Sequence, residues 1–265
     1  MIPKVIHYCW FGGSPIPDSS QKCISSWKKY FPDYEIKQWD ETNFDFNSCN
    51  YVKEAYQAKK WAFVSDYARF WILYNYGGIY FDTDVEVIKP FDDILISGSF
   101  MGEEISAADS NNEEQEDIFR VNAGLGIGAE SNTSLYKEIL DYYKGEHFIN
   151  NDGTENHETV VTRVTNILLR YGFKGNGAIE DIDGFRFYPP EYFSPINYKT
   201  SVITITANTH SIHHYTGSWQ TEWEKKETEK MQELTKKYGP SKANIYFKIW
   251  KYILHPSKLI EKVNI

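Results

Sequence analysis

Two aspartates separated by one residue, Asp82 and Asp84, directly follow a short apolar segment at residues 79–81. Residues two apart on an extended chain point to the same side, so both carboxylates can meet at one place. If the segment is a strand of an open α/β sheet, that place is the carboxyl end of the strand, where such sheets bind ligands. Carboxylate oxygens there suit Mg²⁺ or Mn²⁺, and either ion would bind phosphate oxygens in turn. The pair therefore predicts a divalent-cation site.

The segment that precedes this strand, residues 61–76, is apolar almost throughout and ends at two glycines, as expected of a buried helix. It contains two charged residues, Asp66 and Arg69, which lie three apart and so share one helix face. One interpretation is an ion pair that only stabilises the helix. Burying charge is costly, however, and we favour contact with a ligand.

Strand and helix patterns alternate along the chain, which is typical of an α/β fold with a doubly wound sheet. An acidic stretch at 103–117 is predicted to be a loop, because seven acids without a base cannot bury much surface. Residues 222–265 are predicted to form a helical extension that follows one large domain at 1–221. Helices are predicted at 21–30, 61–76, 134–143 and 158–171, and strands at 4–10, 34–39, 79–81, 122–129, 185–188 and 209–214.

Composition narrows the class of protein. The net charge of −9 argues against non-specific binding of nucleic acid, which needs a basic surface. The three cysteines are odd in number and lack metal-binding spacing, so we expect free thiols in a reducing compartment. The amino terminus does not have the pattern of a signal peptide, and no apolar run is long enough to span a membrane. These observations predict a cytoplasmic protein.

Four segments together resemble glycosyltransferase family 32, which contains bacterial polysaccharide transferases and yeast α-mannosyltransferases. They also resemble the catalytic domain of the large glucosylating bacterial toxins. The segments follow the order of the family along the chain, which makes chance agreement improbable. They are IPKVIHYCWFGG at 2–13, SDYAR at 65–69, YGGIYFDTD at 76–84 and HHYTGSW at 213–219.

The resemblance implies a GT-A-type fold, a Mn²⁺ or Mg²⁺ ion, a nucleotide-sugar donor and transfer with retention of configuration. It also implies a role for each matching residue. Asp84 would bind the metal, Asp82 the metal or the donor, and His214 the metal, with His213 as its competitor because neighbouring strand residues face opposite ways. The donor would further be bound by Asp66 and Arg69 at the sugar, Trp10 at the base, and Ser218 and Trp219 at the diphosphate. Asn122 is a candidate for the amide that retaining enzymes often place near the anomeric carbon.

The expected reaction is transfer of a hexose to a saccharide or lipid-linked acceptor during synthesis of a capsule or another surface polysaccharide. A UDP-sugar is the expected donor, although the yeast members of the family use GDP-mannose. A protein acceptor is an alternative, and so is a carbohydrate- or calcium-binding module without catalysis. A glycoside hydrolase is disfavoured, because its two acids stand roughly 5–9.5 Å apart on either side of a bond.

Residues 242–262 contain five lysines and one acid, interspersed with aromatic and aliphatic residues. That composition is typical of a helix that lies in a membrane interface. We therefore expect peripheral contact with the cytosolic face of a membrane. A helix packed against the domain is the alternative.

Overall fold

The computed structural model describes residues 1–106, 118–197, 202–217 and 222–254. Helices and strands alternate through the first half of the chain, as predicted. The helices are α1 (Asp18–Tyr30), α2 (Asn50–Gln57), α3 (Trp61–Tyr76), α4 (Asp92–Leu95), α5 (Ser134–Lys144), α6 (Val160–Arg170), α7 (Glu222–Tyr238) and α8 (Pro240–Leu254), with a 3₁₀ turn at Pro190–Tyr192. The strands are β1 (Val5–Cys9), β2 (Glu35–Trp39), β3 (Gly78–Tyr80), β4 (Val85–Val87), β5 (Ser99–Ser106), β6 (Ile118–Asn122), β7 (Ile127–Ala129), β8 (Glu180–Ile182), β9 (Phe185–Tyr188), β10 (Ile196–Asn197), β11 (Val202–Ile203) and β12 (Ser211–His213).

The main sheet has the strand order β2-β1-β3-β7-β5-β9-β8, with β6 paired to β5. Strands β1, β2 and β3 are parallel, whereas β7 runs antiparallel to both β3 and β5. The predicted α/β class is confirmed, in a sheet that is mixed and not wholly parallel. Because β1 and β3 are parallel neighbours, the segments that follow them leave the sheet at the same edge.

Side chains of alternate strand residues fill two cores, one on each face of the sheet. Ile79 and Phe81 belong to the core beneath α1, where the indole of Trp27 donates a 2.7 Å hydrogen bond to the carbonyl of Val85. Tyr80 points the other way, into the larger core that α2, α3, α5 and α6 cover. The strand that leads to the two aspartates is therefore packed on both faces, which fixes its direction.

Two predicted segments differ markedly from the structure, and some short elements of the structure were not predicted. Residues 103–106 continue strand β5, because they pair with β6 along its whole length; residues 107–117 lie outside the described part of the chain. The predicted strand 122–129 is divided into the end of β6, a turn and β7. The short helix α2 and the strand β4 were not predicted, since neither is long enough to show a clear period.

Strand β4 pairs with β12 in a separate two-stranded antiparallel sheet, in which Val85 lies opposite His213. This pairing brings a segment from late in the sequence next to the residues that follow β3. Among the described residues, α7 and α8 occupy the predicted helical extension and pack on each other, with the rings of Trp223 and Trp250 stacked at 5.7 Å. No helix in the described ranges is long and apolar enough to cross a membrane.

The turn between α3 and β3 depends on Gly78, which has a φ of +104°. A Cβ atom there would lie 2.7 Å from the carbonyl oxygen of Val5 and 3.0 Å from the ring of His7. Gly98 has a similar φ of +91° but open space around it, so it isolates the cost of backbone strain alone. We expect Gly98→Ala to lower the free energy of unfolding by about 1 kcal/mol and Gly78→Ala by about 2 kcal/mol more.

Chemical denaturation of both variants would measure the difference. Equal losses of unfolding free energy in the two variants would show that the close approach of β1 and β3 does not constrain this turn.

Candidate functional site: a carboxylate and histidine cluster at the sheet edge

The aspartate pair lies where β3 leaves the sheet, and a histidine from β12 joins it. Ligand atoms of Asp82, Asp84 and His213 all lie within 4.8 Å of one another. Asp84 Oδ1 is 3.0 Å from His213 Nε2, and Asp84 Oδ2 accepts hydrogen bonds from the amide and the hydroxyl of Thr216 at 2.9 and 3.0 Å. The three groups form a compact set of two carboxylates and an imidazole, which is a donor set for a divalent cation.

The protonation of this cluster follows from its contacts. Burial disfavours the charged form of Asp84, but His213 and Thr216 outweigh that effect and hold the pKa of its carboxyl well below the usual range. Burial likewise disfavours the charged form of His213, and Asp84 outweighs it and raises the pKa of the imidazole. The second ring nitrogen of His213, Nδ1, is buried and has no hydrogen-bond partner among the described residues.

The two adjacent histidines face opposite ways, as their position on a strand predicts. His214 was the predicted metal ligand, but its Nε2 lies 2.9 Å from Oε2 of Glu86, and its side chain takes no part in the cluster. Only its backbone contributes nearby, because its amide donates a 3.0 Å hydrogen bond to the carbonyl of Asp84. The structure therefore places His213 at the position that the prediction gave to His214.

Arg69 and Asp66 form a buried ion pair on α3 that reaches the aspartate pair. Arg69 Nη2 lies 2.9 Å from Asp66 Oδ1 and 3.3 Å from Asp82 Oδ1, and its guanidinium lies over the ring of Tyr80 at 5.0 Å. Burial opposes the charge on Arg69, but Asp82, Tyr80 and Asp66 outweigh it and raise its pKa. Burial raises the pKa of Asp66 to about 6, against the effect of Arg69. The predicted ion pair is confirmed, and it also supports Asp82. Contact of Asp66 and Arg69 with a ligand stays a prediction.

The turn after β6 completes the other side of the cluster. Asn122 Oδ1 accepts a 2.7 Å hydrogen bond from the amide of Gly124, and Asn122 Nδ2 donates at 2.7 Å to Glu104 Oε2. The same Glu104 oxygen accepts from the hydroxyl of Tyr215 at 2.8 Å. A Cβ atom on Gly124 would lie 2.2 Å from Asp82 Oδ2, so only glycine allows this turn to approach the aspartate. Asn122 therefore lies beside the predicted metal site.

The remaining predicted donor ligands have different outcomes. Trp10 follows β1 at the same sheet edge as Asp82, is partly exposed, and donates from Nε1 to the carbonyl of Ser14 at 2.6 Å. Its ring packs partly against the core beneath α1, and stacking on a base stays a prediction. Ser218 and Trp219 lie outside the described residues.

The part of the chain that contains α3 and the aspartate pair matches a known protein family. Residues 17–101 match the family model described as the glycosyltransferase sugar-binding region containing the DXD motif. This part of the chain is similar to the sugar-binding region of these glycosyltransferases. The matched residues include Asp66, Arg69, Asp82 and Asp84, so the resemblance predicted from the sequence is confirmed there. Asn122, Tyr215 and His213 lie beyond the match.

Curated relatives match over a similar length. Inositol phosphoceramide mannosyltransferase 1 of Schizosaccharomyces pombe is 34% identical over 109 residues, which are 38% of this chain and 33% of that protein. An uncharacterised glycosyltransferase of Acanthamoeba polyphaga mimivirus is 32% identical over 106 residues, or 38% of this chain and 42% of that protein. The chain thus spans less than half the length of these relatives.

Solved glycosyltransferases also align with the chain. The PaToxG glycosyltransferase has 19% identity and a TM-score of 0.44, over 64% of this chain and 69% of its own. The galactosyltransferase LgtC, solved with donor and acceptor sugar analogues, has 13% identity and a TM-score of 0.44, over 85% and 92%.

Because the guanidinium of Arg69 is buried, we expect an arginine-to-lysine substitution there to destabilise the protein more than the same substitution at an exposed arginine. Lysine cannot reproduce its contacts with Ser65, Asp66 and Asp82, and would leave buried acceptors without donors. We expect Arg69→Lys to lower the free energy of unfolding by about 2–3 kcal/mol.

Arg186 is the matched control, because it makes two short hydrogen bonds to Asp181 on the surface. We expect Arg186→Lys to cost less than about 1 kcal/mol. Denaturant titration of both variants checks this, and a loss at Arg69 no greater than that at Arg186 would contradict the structural role of the buried cation.

Proposed function

We propose that this chain is a divalent-cation-dependent, retaining glycosyltransferase that takes a sugar from a nucleotide-sugar donor. The observation that carries the proposal is the meeting of Asp82, Asp84 and His213 beside the buried Asp66–Arg69 pair. A donor diphosphate needs a cation, and its sugar needs fixed polar groups. Both kinds of group are adjacent at this one edge of the sheet.

The residues present fit a cation. Two carboxylates and one imidazole supply oxygen and nitrogen donors, a combination better suited to Mn²⁺ than to Ca²⁺, which prefers oxygen ligands alone. The close packing of Gly124 against Asp82 holds that carboxylate in place, and Thr216 does the same for Asp84. When bound, Mn²⁺ would neutralise the negative charge that develops on the leaving diphosphate.

The transfer breaks the bond between the anomeric carbon and the donor phosphate oxygen, and forms a bond from that carbon to an acceptor hydroxyl oxygen. The acceptor proton passes to the leaving diphosphate, which accounts for retention by attack on the same face. Arg69 supplies a fixed positive charge for the donor, and Asp66 holds the guanidinium in orientation. Asn122 keeps one amide hydrogen beyond the one given to Glu104, and we assign it to the sugar.

Lipid-linked acceptors are favoured over free saccharides and proteins. The named relatives from Schizosaccharomyces pombe are mannosyltransferases of inositol phosphoceramide, a lipid. Their names also make GDP-mannose a donor to be compared with UDP-sugars. The expected role in capsule or other surface polysaccharide synthesis is consistent with a lipid-linked acceptor and stays a proposal.

Experiments must distinguish this function from two others. A calcium- or carbohydrate-binding module would bind its ligand without releasing a nucleoside diphosphate. A glycoside hydrolase would cleave glycosides without a nucleotide. Neither function explains why an imidazole and a buried guanidinium should join the carboxylates.

Donor cleavage tests the proposal directly. The full chain is incubated with UDP-glucose, UDP-galactose or GDP-mannose and Mn²⁺, and the released nucleoside diphosphate is measured with and without EDTA. We expect one donor to be cleaved only with the metal, and Asp84→Asn to lower the rate by at least about 100-fold because it removes a charged ligand. The matched control is Asp93→Asn, since Asp93 pairs with His210 at 2.8 Å in the same way. A rate for Asp84→Asn equal to that of Asp93→Asn would refute the assignment.

We further propose that the protein works at the cytosolic face of a membrane and docks through α8. Ile245, Ile249 and Ile253 are spaced four apart on one side of that helix and are 60%, 48% and 72% exposed. Lys242 and Lys248 are exposed near them, and residues 240–254 contain no acid although the chain carries a net charge of −9. An apolar stripe with adjacent lysines suits an anionic lipid surface.

Vesicle sedimentation tests this surface. We expect the chain to bind vesicles that contain phosphatidylglycerol more strongly than pure phosphatidylcholine. Combined alanine substitution of Ile245, Ile249 and Ile253 should weaken binding by at least about tenfold. The substitutions remove apolar groups that would enter the membrane, and alanine keeps a high helix propensity. Ile96, Ile179 and Ile205, which are also exposed, provide a matched triple control. Unchanged binding would exclude this face, and a concentration-dependent dimer in sedimentation velocity would assign it to a second copy of the chain.

A further inference from the structure

The contacts around the site form a closed ring of side chains and backbone. From Asp82 the ring passes to Gly124, Asn122 and Glu104, and then through Tyr215 and His213 to Asp84. The amide of Asp82 donates a 3.3 Å hydrogen bond to the carbonyl of Gly124, and the other steps are hydrogen bonds or ion pairs apart from two. These two are the ring packing of Tyr215 on His213, at 4.2 Å between centroids, and the approach of Asp84 to Asp82, whose ligand atoms lie within 4.8 Å of each other. Glu104 stands across the ring from the aspartate pair, and neither the sequence nor the comparisons assign it a role.

The position of Glu104 follows from the pairing of β5 and β6. Asn122 lies opposite Gly102, and Glu104 lies opposite Arg120. Glu104 is therefore the diagonal neighbour of Asn122 on the same sheet face, within reach of a side-chain hydrogen bond. Its sequence neighbour Glu103 faces the other way and is completely buried. The sheet thus presents one of the two acids to the site.

A single oxygen of Glu104 receives both hydrogen bonds. Oε2 accepts from Asn122 Nδ2 at 2.7 Å and from Tyr215 Oη at 2.8 Å, while Oε1 has no hydrogen-bond partner among the described residues. Glu104 accordingly holds two groups that lie on different segments, and both end close to the metal ligands. The amide of Asn122 cannot rotate without losing this bond and the bond from Gly124.

The backbone of Tyr215 is strained, which is a second, independent indication that the position of its side chain matters. Its φ of +50° lies in the left-handed region, which costs a non-glycine residue of order 1 kcal/mol. The contacts of the Tyr215 hydroxyl stabilise this conformation: besides Glu104, the hydroxyl lies 2.7 Å from Ser194 Oγ. Without Glu104 the segment that presents His213 and Thr216 to Asp84 would lose its contact with the main sheet at this point.

We propose that Glu104 is a positioning residue for sugar transfer, which fixes the amide of Asn122 and the hydroxyl of Tyr215 around the reacting sugar. The inference rests on the proposed transferase function. It requires a hydrogen-bond acceptor at this position and does not require a negative charge. Glutamine, whose carbonyl oxygen accepts as Oε2 does, should therefore replace glutamate, whereas alanine should not.

Steady-state kinetics of donor cleavage, with the donor identified above, test this role. We expect Glu104→Ala to lower kcat by about 10–100-fold with KM for the donor changed by less than about twofold, as for residues that orient catalytic ligands. Glu104→Gln should retain kcat within about threefold. The double variant Glu104→Ala/Asn122→Ala should be slower than Asn122→Ala by a smaller factor than Glu104→Ala is slower than the wild type, because part of the effect of Glu104 passes through that amide.

Glu138→Ala is the matched control, because Glu138 also accepts from a tyrosine hydroxyl, that of Tyr171, and from a second side chain, Arg170. It should leave kcat unchanged. If Glu104→Ala does not fold, Tyr215→Phe removes the second hydrogen bond and should lower kcat several-fold. A wild-type kcat in Glu104→Ala, a Glu104→Gln variant as slow as Glu104→Ala, or additive losses in the double variant would each overturn the inference. Failure of the wild-type chain to cleave any donor would instead refute the proposed function.

Discussion

A permanently charged guanidinium buried in the core is the constraint on which the rest of the site depends. Arg69 is only 3% exposed, and a buried cation is tolerated only where anions and acceptors surround it. Asp66 and Asp82 supply that surrounding, one from the same helix and one from the end of the next strand. The conformation of Asp82, at the end of β3, is thus constrained by the need to neutralise Arg69. A carboxylate held in this way is ready for a ligand without rearrangement.

The second aspartate is held from the opposite direction. Asp84 is neutralised by His213 and hydrogen-bonded by Thr216, which is 132 residues away in sequence. The two carboxylates of one short motif therefore have separate supports, Asp82 from the helix α3 and Asp84 from the segment that follows β12. This division explains how two neighbouring negative charges remain close together in a partly buried site. It also gives each aspartate different neighbours, since Asp82 contacts the helix α3 and Asp84 contacts the segment that follows β12.

The sequence predicts well what depends on local order. The helix Trp61–Tyr76 and the strand Phe185–Tyr188 agree with their predicted bounds, because apolar period and terminal signals coincide in them. The aspartate pair and its helix were found for the same reason. The sequence did not predict that His213, and not His214, lies beside the aspartates. That depends on how β12 pairs with β4, and strand pairing is a long-range property. Glu104 was not predicted, because it is one of several acids in the stretch 103–117. Only the register of β5 and β6 shows that it is the diagonal neighbour of Asn122.

The small sheet formed by β4 and β12 has a consequence for the order in which the protein assembles. Its two strands, Val85–Val87 and Ser211–His213, are separated by nearly half of the chain, so we expect them to pair late in folding. During synthesis, the aspartates leave the ribosome long before the histidine does. We therefore expect the carboxylate pair to form before His213 joins it, and the complete cluster to arise late in folding. Occupancy of the site by a cation would thus report that nearly the whole fold has formed.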